Sequence, residues 1–211
     1  MNARKLLTEA LLPALRLVFP QAEPVDLLFF GSEADICSPL PAKYGVDTSA
    51  EMVYNAVNGV TLGGFPLFCC TRINGGYIEF TLSDEALSEL ARLCAAPEAK
   101  PPSKPFDHGR NADSVAARLI WLANGGAGFY PPHDPILKKA FLACLLADTE
   151  SSRQRALSLA EKALCLSRRA RMSGGEALSP GAALCMAAAL LEKCPSLRSG
   201  GEPENEHNTL I

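Results

Sequence analysis

Apolar residues recur at helical spacing from the start of the chain. Leu6, Ala10, Leu11, Ala14, Leu15 and Val18 fall on one face of a helix over about 3–18, and Pro20 and Pro24 stop it. Val25 to Phe30 then reads as a strand. Thr48 or Ser49 caps a helix reaching about Val57, with Asn58-Gly59 ending it. Pro66–Ile73 and Tyr77–Leu82 form two arms of a hairpin across Asn74-Gly75, a favoured turn pair. Ser83 caps a further helix. Asp84 and Glu85 sit at its positive end, and Leu87, Leu90, Ala91 and Cys94 face the sheet.

Proline then interrupts the pattern. Pro97, Pro101, Pro102 and Pro105 crowd into one short stretch, which excludes a helix interior or a central strand and marks a linker. Beyond it the chain reads as all helix. Asp113 or Ser114 starts a helix ended by Asn124-Gly125-Gly126. Asp134 caps a second, with Pro135 at its first position. A third covers about 152–172, and Ser179-Pro180 opens a fourth that Pro195 stops. Short connections between four helices predict a small bundle. The division is therefore an α/β domain at 1–96, a Pro-rich linker at 97–110, a helical bundle at 111–197 and a polar, disordered tail at 198–211.

Charge separates the two parts. Residues 1–99 hold 6 Lys+Arg against 12 Asp+Glu, residues 100–198 hold 14 against 8, and the tail adds three glutamates. Such asymmetry predicts two units with different partners, or two units that face each other. No apolar run approaches the roughly 18–20 residues of a membrane span. Arg4 and Lys5 precede the first apolar segment as in a signal peptide, but Glu9 and Arg16 interrupt it, so an amphipathic helix fits better. None of the eight cysteines forms a CxxC, and no histidine pair has metal-ligand spacing. Cys144, Cys165 and Cys185 lie in apolar helical patterns and read as reduced core thiols of a cytoplasmic protein. Cys69 and Cys70 should point to opposite faces of a strand.

The stretch Gly76-Tyr77-Ile78 running into Ser83-Asp84-Glu85-Ala86-Leu87 resembles the end of the N-terminal additional domain of arginyl-tRNA synthetases. Tyr44-Gly45-Val46-Asp47 resembles that family's helix entry with one residue inserted. Asp113 to Leu119, with its Ala117-Arg118 pair, is similar to the entry helix of the family's DALR-type anticodon-binding domain. Gly75 stands where the family usually has Pro, and Glu79 where it has Asn. The 211 residues contain no HIGH-like or KMSKS-like motif. The resemblance thus implies the two accessory domains joined without the catalytic one. It implies binding of tRNA or another structured RNA, and not aminoacylation.

Candidate binding residues concentrate in the third helix of the bundle. Arg155, Lys162 and Arg169 recur every seven residues and share a face, with Arg153, Arg168 and Arg171 beside them. Such a ridge can neutralise phosphates, serve as an ordinary solvated helix face, or meet the acidic first domain or a protein partner. Phe129 and Tyr130 follow a glycine-rich loop and read as exposed, able to stack on bases, whereas Trp121 fits the apolar side of its helix. Tyr77, on the matching strand, joins the candidates. The loop lacks the GK[ST] ending of a phosphate loop. His108 and His133 each neighbour an aspartate but no nucleophile. Glu79, Asp84, Glu85 and Glu89 read as a solvated edge and a helix cap.

The sequence therefore predicts an α+β domain with a small, mostly antiparallel sheet, followed by an all-α bundle of DALR-like type. It predicts a non-catalytic tRNA- or structured-RNA-binding protein without a cofactor, metal or membrane. The alternative is a protein-interaction module, consistent with an overall pI near 5.7.

Overall fold

The computed structural model describes residues 3–29, 34–44, 49–94 and 110–192. Residues 97–109 of the Pro-rich linker, the tail at 198–211, Asp47 and His108 lie outside the described residues.

Helix α1 (Ala3–Val18) buries Leu7, Leu11 and Leu15 along one stripe. The next segment departs from the expected strand at Val25–Phe30. Pro24 opens a 3-10 turn over Pro24–Asp26, and among the described residues of this segment Leu28–Phe29 (β1) form the strand, Phe30 lying outside them. The cause is local. Asp26 turns inward, accepts the Glu23 N–H at 2.9 Å and meets Lys43 Nζ at 2.7 Å. Two short elements follow that periodicity did not reveal, β2 (Ile36–Ser38) and α2 (Leu40–Tyr44). Ser49 Oγ caps α3 (Ala50–Val57) by accepting Met52 N–H at 3.2 Å. A small hairpin, β3 (Thr61–Leu62) and β4 (Phe65–Pro66), precedes the main one, β5 (Phe68–Asn74) and β6 (Tyr77–Leu82).

The main sheet is antiparallel in the order β1-β2-β6-β5. Asn74 pairs with Tyr77, so the turn is Gly75-Gly76, one residue later than expected. Both glycines have left-handed φ, at 55° and 81°, as a tight hairpin turn requires. Gly76 also lies under α2: a Cβ there would sit 3.0 Å from Ala42 Cβ, and its carbonyl accepts the Ala42 N–H at 3.1 Å. A register shift between Phe68 and Cys70 interrupts the pairing of this edge strand, and Cys69 and Cys70 are both exposed. Ser83 Oγ caps α4 (Asp84–Cys94), accepting Ala86 N–H at 3.0 Å.

The second half is four helices: α5 (Ala112–Ala123), α6 (Pro135–Leu146), α7 (Glu150–Ser173) and α8 (Pro180–Glu192). Each start has a side-chain acceptor. Asn111, rather than Asp113 or Ser114, caps α5. Asp134 Oδ1 accepts from Ile136 and Leu137 N–H at 2.8 and 3.0 Å. Thr149 and Ser152 form a reciprocal box at α7, and Ser179 Oγ accepts Ala182 N–H at 3.3 Å. Asn124, left-handed at φ 49°, ends α5.

One hydrophobic core runs through both halves, from Ala3 in α1 to Leu190 in α8. α4 packs on α8 and α1 on α6. Polar contacts reinforce this seam. Lys138 Nζ lies 2.9 Å from Asp35 Oδ2, Arg4 pairs with Asp148, and the Cys185 thiol donates to Ala91 O at 3.4 Å. Among the described residues no helix is long and apolar enough to cross a membrane.

Candidate nucleic-acid interface

α7 is built to present charge. It buries a narrow stripe of mostly small residues, Ala156, Ala160, Ala163, Leu164 and Ser167, and packs through it against the bundle. The broad remainder carries six Lys/Arg against two glutamates. Arg155, Lys162, Arg168 and Arg169 are exposed. Arg153 is half-buried and lies 3.6 Å from Glu150. Arg171 is committed to the fold: its guanidinium donates to the Leu122 carbonyl, one of the carbonyls that the end of α5 leaves without a helical partner.

A groove of about 580 Å³ runs between α7, α5 and the start of α6. Arg110, Arg118, Lys162 and Arg169 line it together with one carboxylate, Glu161. Arg118 is the most enclosed of the four, with 14% of its side chain exposed. Its Nε donates to Ser114 O at 3.1 Å, and its Nη2 lies 3.7 Å from Glu161 Oε1. Ile136 and Leu166 add apolar wall. A smaller hollow of about 260 Å³, lined by Arg153, Glu150, Gln154 and Leu190, shares Arg110 with the groove. Converging cations with few carboxylates create a positive potential suited to a polyanion.

Lys162 and Arg169 thus meet in the groove, whereas Arg155 does not line it. Arg110 and Arg118 are contributions that sequence reading missed. They reach α7 through the packing of α5, and no spacing along the chain encodes that. The principal packing partners of α7 are α5, α6 and α8, while α1, α4, α6 and α8 form the seam between the halves.

The aromatics are distributed differently from expectation. Phe129 is half-buried, with its ring centroid 5.7 Å from that of Phe141, so it belongs to the core and not to an exposed platform. Tyr130 is 47% exposed and donates its hydroxyl to Ala177 O at 2.9 Å. Tyr77 is exposed on the hairpin of the other half and lines neither hollow on α7. Trp121, expected in the core, is 46% exposed. Within the run Leu119-Ile120-Trp121-Leu122-Ala123 the other four positions are buried, leaving Trp121 outward.

Several other titratable groups have structural partners. Glu89 is buried rather than solvated, and two hydrogen bonds of 2.7 Å from the Arg92 guanidinium hold its carboxyl below the usual range. Glu79 pairs with Arg72. His133 Nδ1 is 3.9 Å from Asp84, and Glu176 accepts the backbone N–H groups of His133 and Asp134 at 2.7 and 2.6 Å. Tyr44 donates to Gln21 O at 3.1 Å. Burial pushes the Cys185 thiol up to about 12, which makes it inert at neutral pH. Cys144 is also buried, but Cys165 is exposed on the groove wall and is not a core thiol. Among the described residues no cluster of histidine, cysteine and carboxylate side chains could hold a metal.

No family model, no curated protein and no solved structure matches this chain.

Proposed function

We propose that this is a non-catalytic RNA-binding protein whose interface is the α7 groove. The resemblance to arginyl-tRNA synthetase accessory domains makes tRNA the first RNA to test. The observation that carries the reading is the convergence of Arg110, Arg118, Lys162 and Arg169 on one groove with a single carboxylate, in a chain whose formal charge is −3. A chain of that net charge has no general affinity for nucleic acid, so a local concentration of cations is what such binding requires. Four of the groups that line the groove are cations suited to phosphate, and neither Cys165 nor Ser158 beside them has a histidine in the lining to activate it, which favours a binding role over catalysis. Fluorescence anisotropy of labelled tRNA across a salt series tests it, because affinity that depends on phosphate contacts falls linearly on a log–log plot.

A second reading, a protein-interaction module, draws on a different face. Leu17, Val25 and Leu28 are exposed in succession around the α1–β1 connection, beside a hollow on α1 lined by Arg4, Lys5 and Arg16. Substituting Leu17 and Val25 with serine would leave RNA binding unchanged under the first reading and weaken self- or partner association under the second.

A further inference from the structure

Trp121 occupies an unusual place. It is the chain's single tryptophan, and nearly half of it is in water although burial of so large a ring is strongly favourable. It stands three residues beyond Arg118 on α5. Residues at that spacing lie about 60° apart around the helix, with Cβ atoms about 5–6 Å apart. Arg118 points into the groove, toward Glu161. The residue after Trp121, Leu122, offers its carbonyl to Arg171 of α7, which fixes this end of α5 against the basic helix. An exposed indole therefore stands one turn beyond Arg118, just outside the lining of a groove of four cations.

That combination discriminates between forms of nucleic acid. In a duplex the bases are stacked on one another and offer no free face to an indole. A single strand or loop offers unpaired bases whose π-faces stack on aromatic side chains while cations follow the backbone. We propose that Trp121 is the stacking platform for an unpaired base of a single-stranded nucleic acid whose phosphates lie in the groove of Arg118, Lys162 and Arg169. This inference rests on the RNA-binding reading and narrows it to unpaired segments. The carboxylate facing the same groove, Glu161, is engaged by Arg118, which moderates its repulsion of a phosphate. Asn124, the α5 cap beyond Trp121, adds an amide that can hydrogen-bond a base edge.

The experiment uses the full chain, a 12-nucleotide oligouridine and a GC-rich 12-base-pair RNA duplex. Emission from Trp121, free of interference from any other tryptophan, reports stacking directly, and anisotropy of the labelled oligonucleotides reports binding. Oligouridine should quench the emission saturably, with the same midpoint as the anisotropy curve, and the duplex should not quench it. Trp121→Ala should weaken oligouridine binding about tenfold with the salt slope unchanged, and Trp121→Phe should restore most of the loss. If oligouridine binds without altering the emission, and Trp121→Ala binds it as the parent does, the stacking inference is overturned while RNA binding stands. If neither oligonucleotide nor tRNA binds at low salt, the RNA-binding reading falls and the inference falls with it.

Discussion

Arg118 of α5 reaches across to α7 and places its Nη2 3.7 Å from Glu161 Oε1, inside the basic groove. Glu161 neutralises part of the surface that the account assigns to phosphates. Glu161→Gln removes that charge while keeping the shape. It should tighten RNA binding about 2–5-fold at low salt, an effect that shrinks as salt rises. Anisotropy titrations of parent and variant at two salt concentrations check this, and a weaker-binding variant would show that Glu161 positions Arg118 instead of opposing the ligand.

The seam between the halves depends on Asp35. Its Oδ2 meets Lys138 Nζ at 2.9 Å and also accepts the Leu82 N–H at 2.9 Å, with both side chains mostly enclosed. Asp35→Ala leaves a cation and a backbone donor without their partner and should cost about 2–4 kcal/mol. Lys138→Met retains the Leu82 bond and should cost less. Urea denaturation of the two variants gives the comparison.

Gly181 sits at the first turn of α8, where an added Cβ would lie 2.8 Å from Phe129 Cβ and 3.1 Å from the Gly128 carbonyl. That same carbonyl accepts the Gly181 N–H at 2.8 Å. Gly181→Ala should therefore destabilise the bundle by about 1–3 kcal/mol through overpacking, despite alanine's higher helix propensity. A melting temperature equal to or above that of the parent would show that the loop before α6 yields without cost.

Asp26 supplies a pH dependence. Burial opposes its charge, but hydrogen bonds from Lys43 and the Glu23 N–H, together with the Lys43 charge, bring its pKa below the ordinary 3.8. A depressed carboxyl pKa contributes stability that is present above the unfolded value and is lost as pH falls through the folded one. The stability difference between the parent and Asp26→Asn should thus be constant from pH 7 to about pH 5 and shrink below about pH 4. Urea midpoints measured between pH 7 and pH 3 follow that difference.

Much of the fold was legible where local chemistry decides it. Asp134-Pro135 and Ser179-Pro180 announced helix starts, and Ser83 announced α4, because capping and proline's fixed φ act within one turn. Elements of two to five residues, such as β2 and α2, escaped because they complete no period. Val25–Phe30 misled because its apolar residues look like a strand, whereas Asp26 turns inward to meet Lys43, 17 residues away. The site was half legible. Lys162 and Arg169 follow from helical spacing. Arg110 and Arg118 enter the groove through packing of α5 on α7, and packing likewise decides which residue of Leu119–Ala123 faces water. Phe129 is more enclosed and Trp121 more exposed than expected for that reason.

The central claim is that phosphates bind the α7 groove, and the salt dependence of tRNA binding by the parent and by Lys162→Glu/Arg169→Glu tests it most directly. The account predicts that the parent binds with a steep negative slope, and that the double variant binds at least tenfold more weakly with a slope shallower by about two. Equal binding by the two proteins, or no binding by the parent at low salt, would contradict it.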